Sequence, residues 1–220
     1  MRKKLPVTTT TNSAINPYGS IEEPTDVKKH YIHLKPPLDG YNDDKKLSTN
    51  FTLGEFRKAM YFTKEEKNLI TYVPIHPNII QACQILRNAL GKPIKVNSSF
   101  RTVAHELSQG RSGKGKHTLG IAVDLSGEGL VELLREAIEQ KNDLYHSLRN
   151  LGVNAFGLYK YKNFVHLDLR PAEADGSHIV WTDLDLDEDG KKNSSRVGIT
   201  LTIIGLVGLA VGALIKKIRP

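Results

Sequence analysis

Phe164-Val165-His166-Leu167-Asp168 is the stretch on which the reading turns, together with Lys116-His117-Thr118-Leu119-Gly120-Ile121-Ala122-Val123-Asp124. The first alternates strictly. Successive side chains of a strand point to opposite faces, so Phe164, His166 and Asp168 share one face while Val165, Leu167 and Leu169 share the other. The second stretch reads as a turn at Gly120 entering a short strand over Ile121 to Leu125. Together they offer two imidazoles and one carboxylate, His117, Asp124 and His166. Two His and one carboxylate, with a fourth position left for water, is a set that holds a catalytic zinc ion. Spacing alone does not demand it: six residues between His117 and Asp124 is not a compact metal motif, and a lone strand histidine is commonly just packed or solvated.

Working outward, Ala155 to Tyr159 and Phe164 to Leu169 are joined by a short turn near Lys160 to Asn163, the spacing of an antiparallel hairpin. Before it, a helix is expected from near Glu128 to Glu139, with Leu130, Leu133, Leu134, Ala137 and Ile138 on one side. A second helical piece carries Leu144, Leu148 and Leu151, and Gly152 closes it. Further upstream, Pro77 suits a first helical turn. Ile79, Ala82, Cys83, Leu86, Ala89 and Leu90 follow at helical spacing, and Gly91 ends the run. Ile94 to Val96 then reads as a short strand leading to Ser98, Ser99 and Arg101. Residues 102–116 are rich in Gly, Ser, Lys and Arg and read as a long loop, of the kind that is functional or mobile. Thr52-Leu-Gly-Glu55 and Thr63-Lys-Glu-Glu66 both have the capping-box form, and the first opens a short helix to about Met60. The fold class is α+β, a small antiparallel sheet with flanking helices.

The ends differ from this centre. Residues 1–46 are rich in Thr, Asn, Pro, Lys and Asp without a sustained period and read as a flexible arm, with Tyr31 to Leu34 a short extended piece at best. No leader is expected, because Met1-Arg-Lys-Lys runs into polar sequence. Residues 182–196 read as a charged linker. Asp185 to Gly190 imitates the start of a calcium loop, but Arg196 falls where its bidentate Glu belongs, so a solvated acidic linker is the better reading. Val197 to Ile215 is a nineteen-residue run without charge, about 28 Å long as a helix. It reads as a single C-terminal transmembrane helix, followed by a basic tail over 216–220. Gly208 and Gly212 have the four-residue spacing that lets membrane helices approach, so a homo-oligomer is allowed. Basic residues flank the run on both sides, which leaves its orientation open.

The chain has 220 residues and a formal net charge of +7, enough for one ordinary domain plus tails. The basic residues are scattered, not clustered with aromatics on one element, so nucleic acid is not an expected partner. The single cysteine, Cys83, excludes an internal disulfide and sits on an apolar helical face, a core position.

The order of these motifs resembles the M15 family of zinc peptidases, in particular the D-alanyl-D-alanine carboxypeptidase and murein endopeptidase branch. The resemblance is carried by Leu47-Ser-Thr-Asn-Phe-Thr-Leu-Gly-Glu-Phe56, Ser98-Ser-Phe-Arg101, the His117 to Asp124 stretch, Phe164-Val-His-Leu-Asp168 and Trp181, over roughly residues 47 to 181. It implies Zn²⁺ held by His117, Asp124 and His166, with Ser99 and Arg101 meeting the substrate and Arg101 stabilising the developing oxyanion. The plain alternative for Arg101 is a surface ion pair. The family's general base is commonly an Asp or Glu shortly before the last His ligand, where this chain has Asn163. Asp168 is then either the base or a partner that orients a ligand, and His105 and Glu106 are further candidates. Gly115 replaces the family's Ser two positions before the first ligand. The resemblance implies a zinc peptidase acting on peptidoglycan stem peptides or cross-links, and the run over 197–215 adds a membrane anchor, in a bacterial cell envelope or associated with a phage. The alternative is a non-catalytic wall-binding or virion protein of the same fold.

Overall fold

The computed structural model describes residues 31–33, 43–70 and 72–183. The apolar run over 197–215, the basic tail and the calcium-loop-like Asp185 to Gly190 lie outside them. Among the described residues, no helix is long and apolar enough to cross a membrane.

Among the described residues, seven strands and five helices follow one another as β1 (Tyr31–His33), α1 (Leu53–Lys58), β2 (Tyr72–Pro74), α2 (Pro77–Leu90), β3 (Lys95–Ser98), α3 (Val103–Ser108), β4 (Ala122–Ser126), α4 (Leu130–Gln140), α5 (Asp143–Asn150), β5 (Ala155–Tyr159), β6 (Phe164–Asp168) and β7 (Ile179–Thr182), with a 3-10 turn over Lys116–Leu119. The short extended piece at Tyr31 is β1, paired antiparallel with β2. The main sheet has the order β3-β4-β6-β5-β7. Its first four strands are antiparallel, and the hairpin expected from the alternation is β5–β6. The sheet is not wholly antiparallel, however, because β7 runs parallel to β5.

Local chemistry explains the helices. In α2, the His76 Nδ1 accepts from Asn78 N–H at 3.1 Å, Pro77 occupies the first turn where its missing N–H costs nothing, and Gly91 at φ 67° closes the helix. In α5, the Asn142 side chain accepts from the N–H groups of Leu144 and Tyr145. Glu55 accepts from Thr52 N–H at 2.7 Å and opens α1 as the capping-box form requires. Thr63 N–H donates to Glu66 in the same way at 2.8 Å, yet only turns follow. There Glu66 is buried and also accepts from Thr102 Oγ1, so it ties two segments together instead of starting a helix.

Two segments differ from the sequence reading. Residues 102–116 are not all loop: α3 forms because Thr102 accepts from His105 N–H at 3.1 Å and caps it. At the domain's borders, Asp43 pairs with Arg57 at 2.6 Å, and Asp183 is buried and accepts from the N–H groups of Lys160 and Tyr161. The packed body therefore extends to Asp43 on one side and Asp183 on the other.

Alternation divides the sheet. Val96, Val123, Leu125, Phe156, Leu158, Val165 and Leu167 point to one face and join Leu86, Leu130, Leu134 and Leu148 in the core under α2, α4 and α5. Burying each of these side chains stabilises the fold by about 1.5 to 3 kcal/mol. The other face carries the functional side chains.

A candidate metal centre on the open face of the sheet

Cross-strand pairing sets one row of residues across all five strands. Ser98 pairs with Asp124, Asp124 with His166, His166 with Gly157 and Gly157 with Trp181. Ser98 belongs to this row only because of a bulge at Asn97. Val96 pairs with Leu125 on the core face, and without the extra residue Ser98 would face the core too. His117 reaches the row from the 3-10 turn. Gly120 closes that turn at φ 66°, and its Cα is so close to Pro74 that a Cβ would stand 2.7 Å from the Pro74 carbonyl oxygen. Only glycine fits there.

The three donors converge. His166 Nδ1 lies 2.7 Å from Asp124 Oδ1, His117 Nε2 lies 3.2 Å from the same oxygen, and the two ring nitrogens are 3.3 Å apart. A tetrahedral zinc site with bonds near 2.0 to 2.2 Å separates its donors by about 3.3 Å. Each imidazole is fixed from behind. His117 Nδ1 donates to the Ser99 carbonyl at 2.6 Å, and Arg101 N–H returns a bond to the His117 carbonyl. His166 Nε2 faces Asp168 Oδ2 at 3.2 Å. Both outer partners are acceptors, so each ring carries its proton on the far nitrogen and turns a lone pair toward Asp124. Two lone pairs and a carboxylate oxygen facing one another repel unless a cation or a proton sits among them. The donor set therefore fits a divalent metal.

Ionisation follows the same geometry. Burial would raise the Asp124 carboxyl, but when a proton rather than a metal sits among the three groups, hydrogen bonds from the His117 and His166 nitrogens that face it outweigh burial and hold it well below the usual carboxylate range. Burial lowers His117. Burial pulls His166 the same way, but Asp124 and Asp168 on either side win and raise it. A proton on His166 is thus the competitor that a metal displaces.

Other residues fall into different places than the sequence suggested. The Ser99 side chain is turned into the protein: the residue is 1% exposed and its hydroxyl donates to the Phe56 carbonyl at 2.7 Å, while its own carbonyl holds His117. Arg101 turns inward. Its guanidinium bonds Asp124 Oδ2 at 2.5 Å and Ser98 Oγ at 2.8 Å, leaving Oδ1 for the donor set. Its guanidinium is thus engaged with a residue of the donor set. Asp168 is fully buried and forked by Arg170 through both carboxylate oxygens. Burial would raise its carboxyl, but Arg170 and His166 hold it well below the usual range. Both of its oxygens are thus already engaged, by Arg170 and His166. Glu106 is buried in α3 and paired with Arg111 at 2.8 Å. Asn163 occupies the hairpin turn at φ 50°, a left-handed position that asparagine tolerates.

A cleft of about 300 Å³ opens beside Asp124, lined among others by Tyr61, Asn97, Arg101, His105 and Phe164. His105 lies against Tyr61, ring centres 5.3 Å apart, and burial lowers its pKa, so it is neutral at neutral pH. On the opposite side of His166 stands Trp181, 5.3 Å from its ring, with the Arg170 guanidinium 5.4 Å from the indole. Sequence reasoning missed the Arg170 fork, although its place two residues beyond Asp168 was a usable signal. It also missed the Ser99 carbonyl, for which a sequence has no signal.

Comparison with known proteins adds one match. The family model for Peptidase M15 matches residues 49–168, more than half of the chain. No curated protein matches the sequence.

Proposed function

The chain belongs to the M15 peptidase family, and from that premise we propose that it is a zinc-dependent peptidase hydrolysing peptide bonds in peptidoglycan stem peptides or cross-links. The observation that carries this reading is the convergence of His117 Nε2, His166 Nδ1 and Asp124 Oδ1 to within 3.3 Å of one another, while the far nitrogen of each ring is held by an acceptor. Zn²⁺ held there supplies Lewis acidity that polarises a carbonyl and activates water. The chain's own residues do the rest. Arg101 fixes the orientation of Asp124, the Ser99 carbonyl fixes the His117 tautomer, and Asp168 fixes that of His166. The cleft beside Asp124 admits the peptide. Of the residues that the sequence offers as proton acceptor, His105 faces this cleft and is neutral at neutral pH. Membrane attachment through residues 197–215 is part of the reading and rests on the length and lack of charge of that run.

One observation favours a second reading, binding without cleavage. Asp168 and Glu106, the carboxylates flanking the donor set, are both committed to arginines. The test is to purify the full chain in zinc, measure bound metal, and incubate it with purified peptidoglycan beside a His117→Ala control. About one zinc per chain, with new amino groups released by the wild type and none by the control, is the expected result. Zinc without cleavage would leave the binding module. A folded wild type that takes up no zinc would overturn both readings.

A further inference from the structure

We propose that Tyr159 is a further catalytic residue, whose hydroxyl, oriented by Trp181, donates a hydrogen bond to the scissile carbonyl oxygen as that oxygen gains charge. The inference rests on the peptidase reading above.

Tyr159 stands on the site face of β5, two residues beyond Gly157, which pairs directly with His166. Gly157 is the place where the wall beside the metal centre is built. A Cβ there would lie 2.8 Å from the Trp181 indole and 2.8 Å from the Tyr159 ring, so both rings fold back over the bare glycine, next to His166. Trp181 Nε1–H donates to Tyr159 Oη at 2.7 Å. An indole N–H can only donate, so the bond takes up an acceptor position on Oη and leaves the phenolic proton to point elsewhere. Among the described residues, no acceptor takes that proton. The ring is held flat on Phe164, centroids 4.2 Å apart at an interplanar angle of 11°. Phe164 in turn lines the cleft with Asp124 and Arg101. The phenol is thus a half-buried donor, stacked on a residue of the cleft wall and two residues along β5 from the Gly157 that pairs with His166.

The chemistry has a use for such a group. In peptide hydrolysis, the oxygen of water bonds to the carbonyl carbon and the carbonyl π pair moves onto its oxygen. The pair then returns as the C–N bond breaks. The amine leaves with one proton of the water, and the other stays with the new carboxylic acid. The developing oxyanion needs a donor that is already in place. Arg101, which the sequence suggested for this, is bonded to Asp124. Tyr159 keeps its own proton throughout. Burial first, with the Asp124 charge adding to it, raises its pKa in spite of the Trp181 bond and so keeps it a donor at neutral pH.

The test uses the full zinc-loaded chain and a stem peptide that it cleaves. Tyr159→Phe removes the hydroxyl and keeps the stack on Phe164. It should lower kcat by about 100-fold, the loss typical of one oxyanion donor, with KM and zinc content unchanged. A tetrahedral phosphinate analogue of the peptide, followed by the fluorescence of Trp181, the chain's one tryptophan, should bind more weakly to the variant by a similar factor. Tyr161→Phe, on the exposed hairpin turn, is the control and should behave as wild type. An active wild type with an equally active Tyr159→Phe, or equal analogue binding, would overturn the role of Tyr159 alone. A zinc-loaded wild type that cleaves nothing would overturn the peptidase reading, and this inference with it.

Discussion

The two faces of the five-stranded sheet are built from the same strands by opposite rules. Val123, Leu125, Val165 and Leu167 on the core face are almost wholly buried, and each does its work by filling space. Asp124, His166 and Asp168 alternate with them, and each does its work through named polar partners. A core side chain is replaceable by another of similar volume, because dispersion and water exclusion are not directional. A donor is not replaceable, because its lone pair must point at one place. The comparison teaches that stability and metal binding are separately addressable one residue apart in the same strand. Substitutions on either side of that divide can break it or sharpen it.

The largest effect on stability belongs to the core face. Leu167→Ala should cost about 2 to 5 kcal/mol in a denaturant titration, the range for a fully buried leucine. The folded variant should still bind zinc as tightly as wild type, because His166 and Asp168 point the other way. A large loss of zinc affinity in folded Leu167→Ala would mean that the two faces are not independent.

Asp168→Asn is the converse, one residue further along β6. It keeps the volume but loses the charge that holds the Nε2 proton of His166 and the Arg170 fork. Zinc affinity, measured by chelator competition, should fall about 10- to 100-fold, as for other partners that orient a metal-bound histidine. Unchanged affinity would remove Asp168 from the site altogether.

The smallest effect lies off both faces. Asp43 is lowered chiefly by its hydrogen bond with Arg57, against the opposing pull of burial. A carboxyl whose folded pKa is depressed stabilises the fold above its unfolded pKa and loses that contribution as pH falls through the folded value. Asp43→Asn should therefore cost up to about 1 kcal/mol at neutral pH, the scale of a partly exposed ion pair. The difference from wild type should close below about pH 4. A difference that persists in acid would show that the effect does not come from the carboxylate charge.

What the sequence disclosed follows the same division. The β5–β6 hairpin was legible because alternation in Phe164 to Asp168 is a local signal, and α2 because Pro77 and Gly91 mark its ends. His117, Asp124 and His166 were legible as residue types, and the fold brings all three together. Helix α3 was hidden by the Gly, Ser and Lys around it, since its capping bond from Thr102 is one contact within a polar stretch. The parallel β7 was hidden because the chain passes through β6 before returning to β5, and no short pattern encodes that register. The direction in which the Ser99 and Arg101 side chains turn was not legible, because type and spacing do not encode it. The bulge at Asn97 and the His117 turn decide that, and both are tertiary.

The central claim is that His117, Asp124 and His166 form a zinc site with a specified atom from each. Anomalous diffraction at the zinc edge, from crystals of the zinc-loaded chain, tests it most directly. The account predicts a single strong peak about 2.0 to 2.2 Å from His117 Nε2, His166 Nδ1 and Asp124 Oδ1, with His117 Nδ1 still on the Ser99 carbonyl and His166 Nε2 still on Asp168. A peak held by other atoms of these residues, or zinc bound elsewhere while this cluster keeps its present contacts, would contradict it.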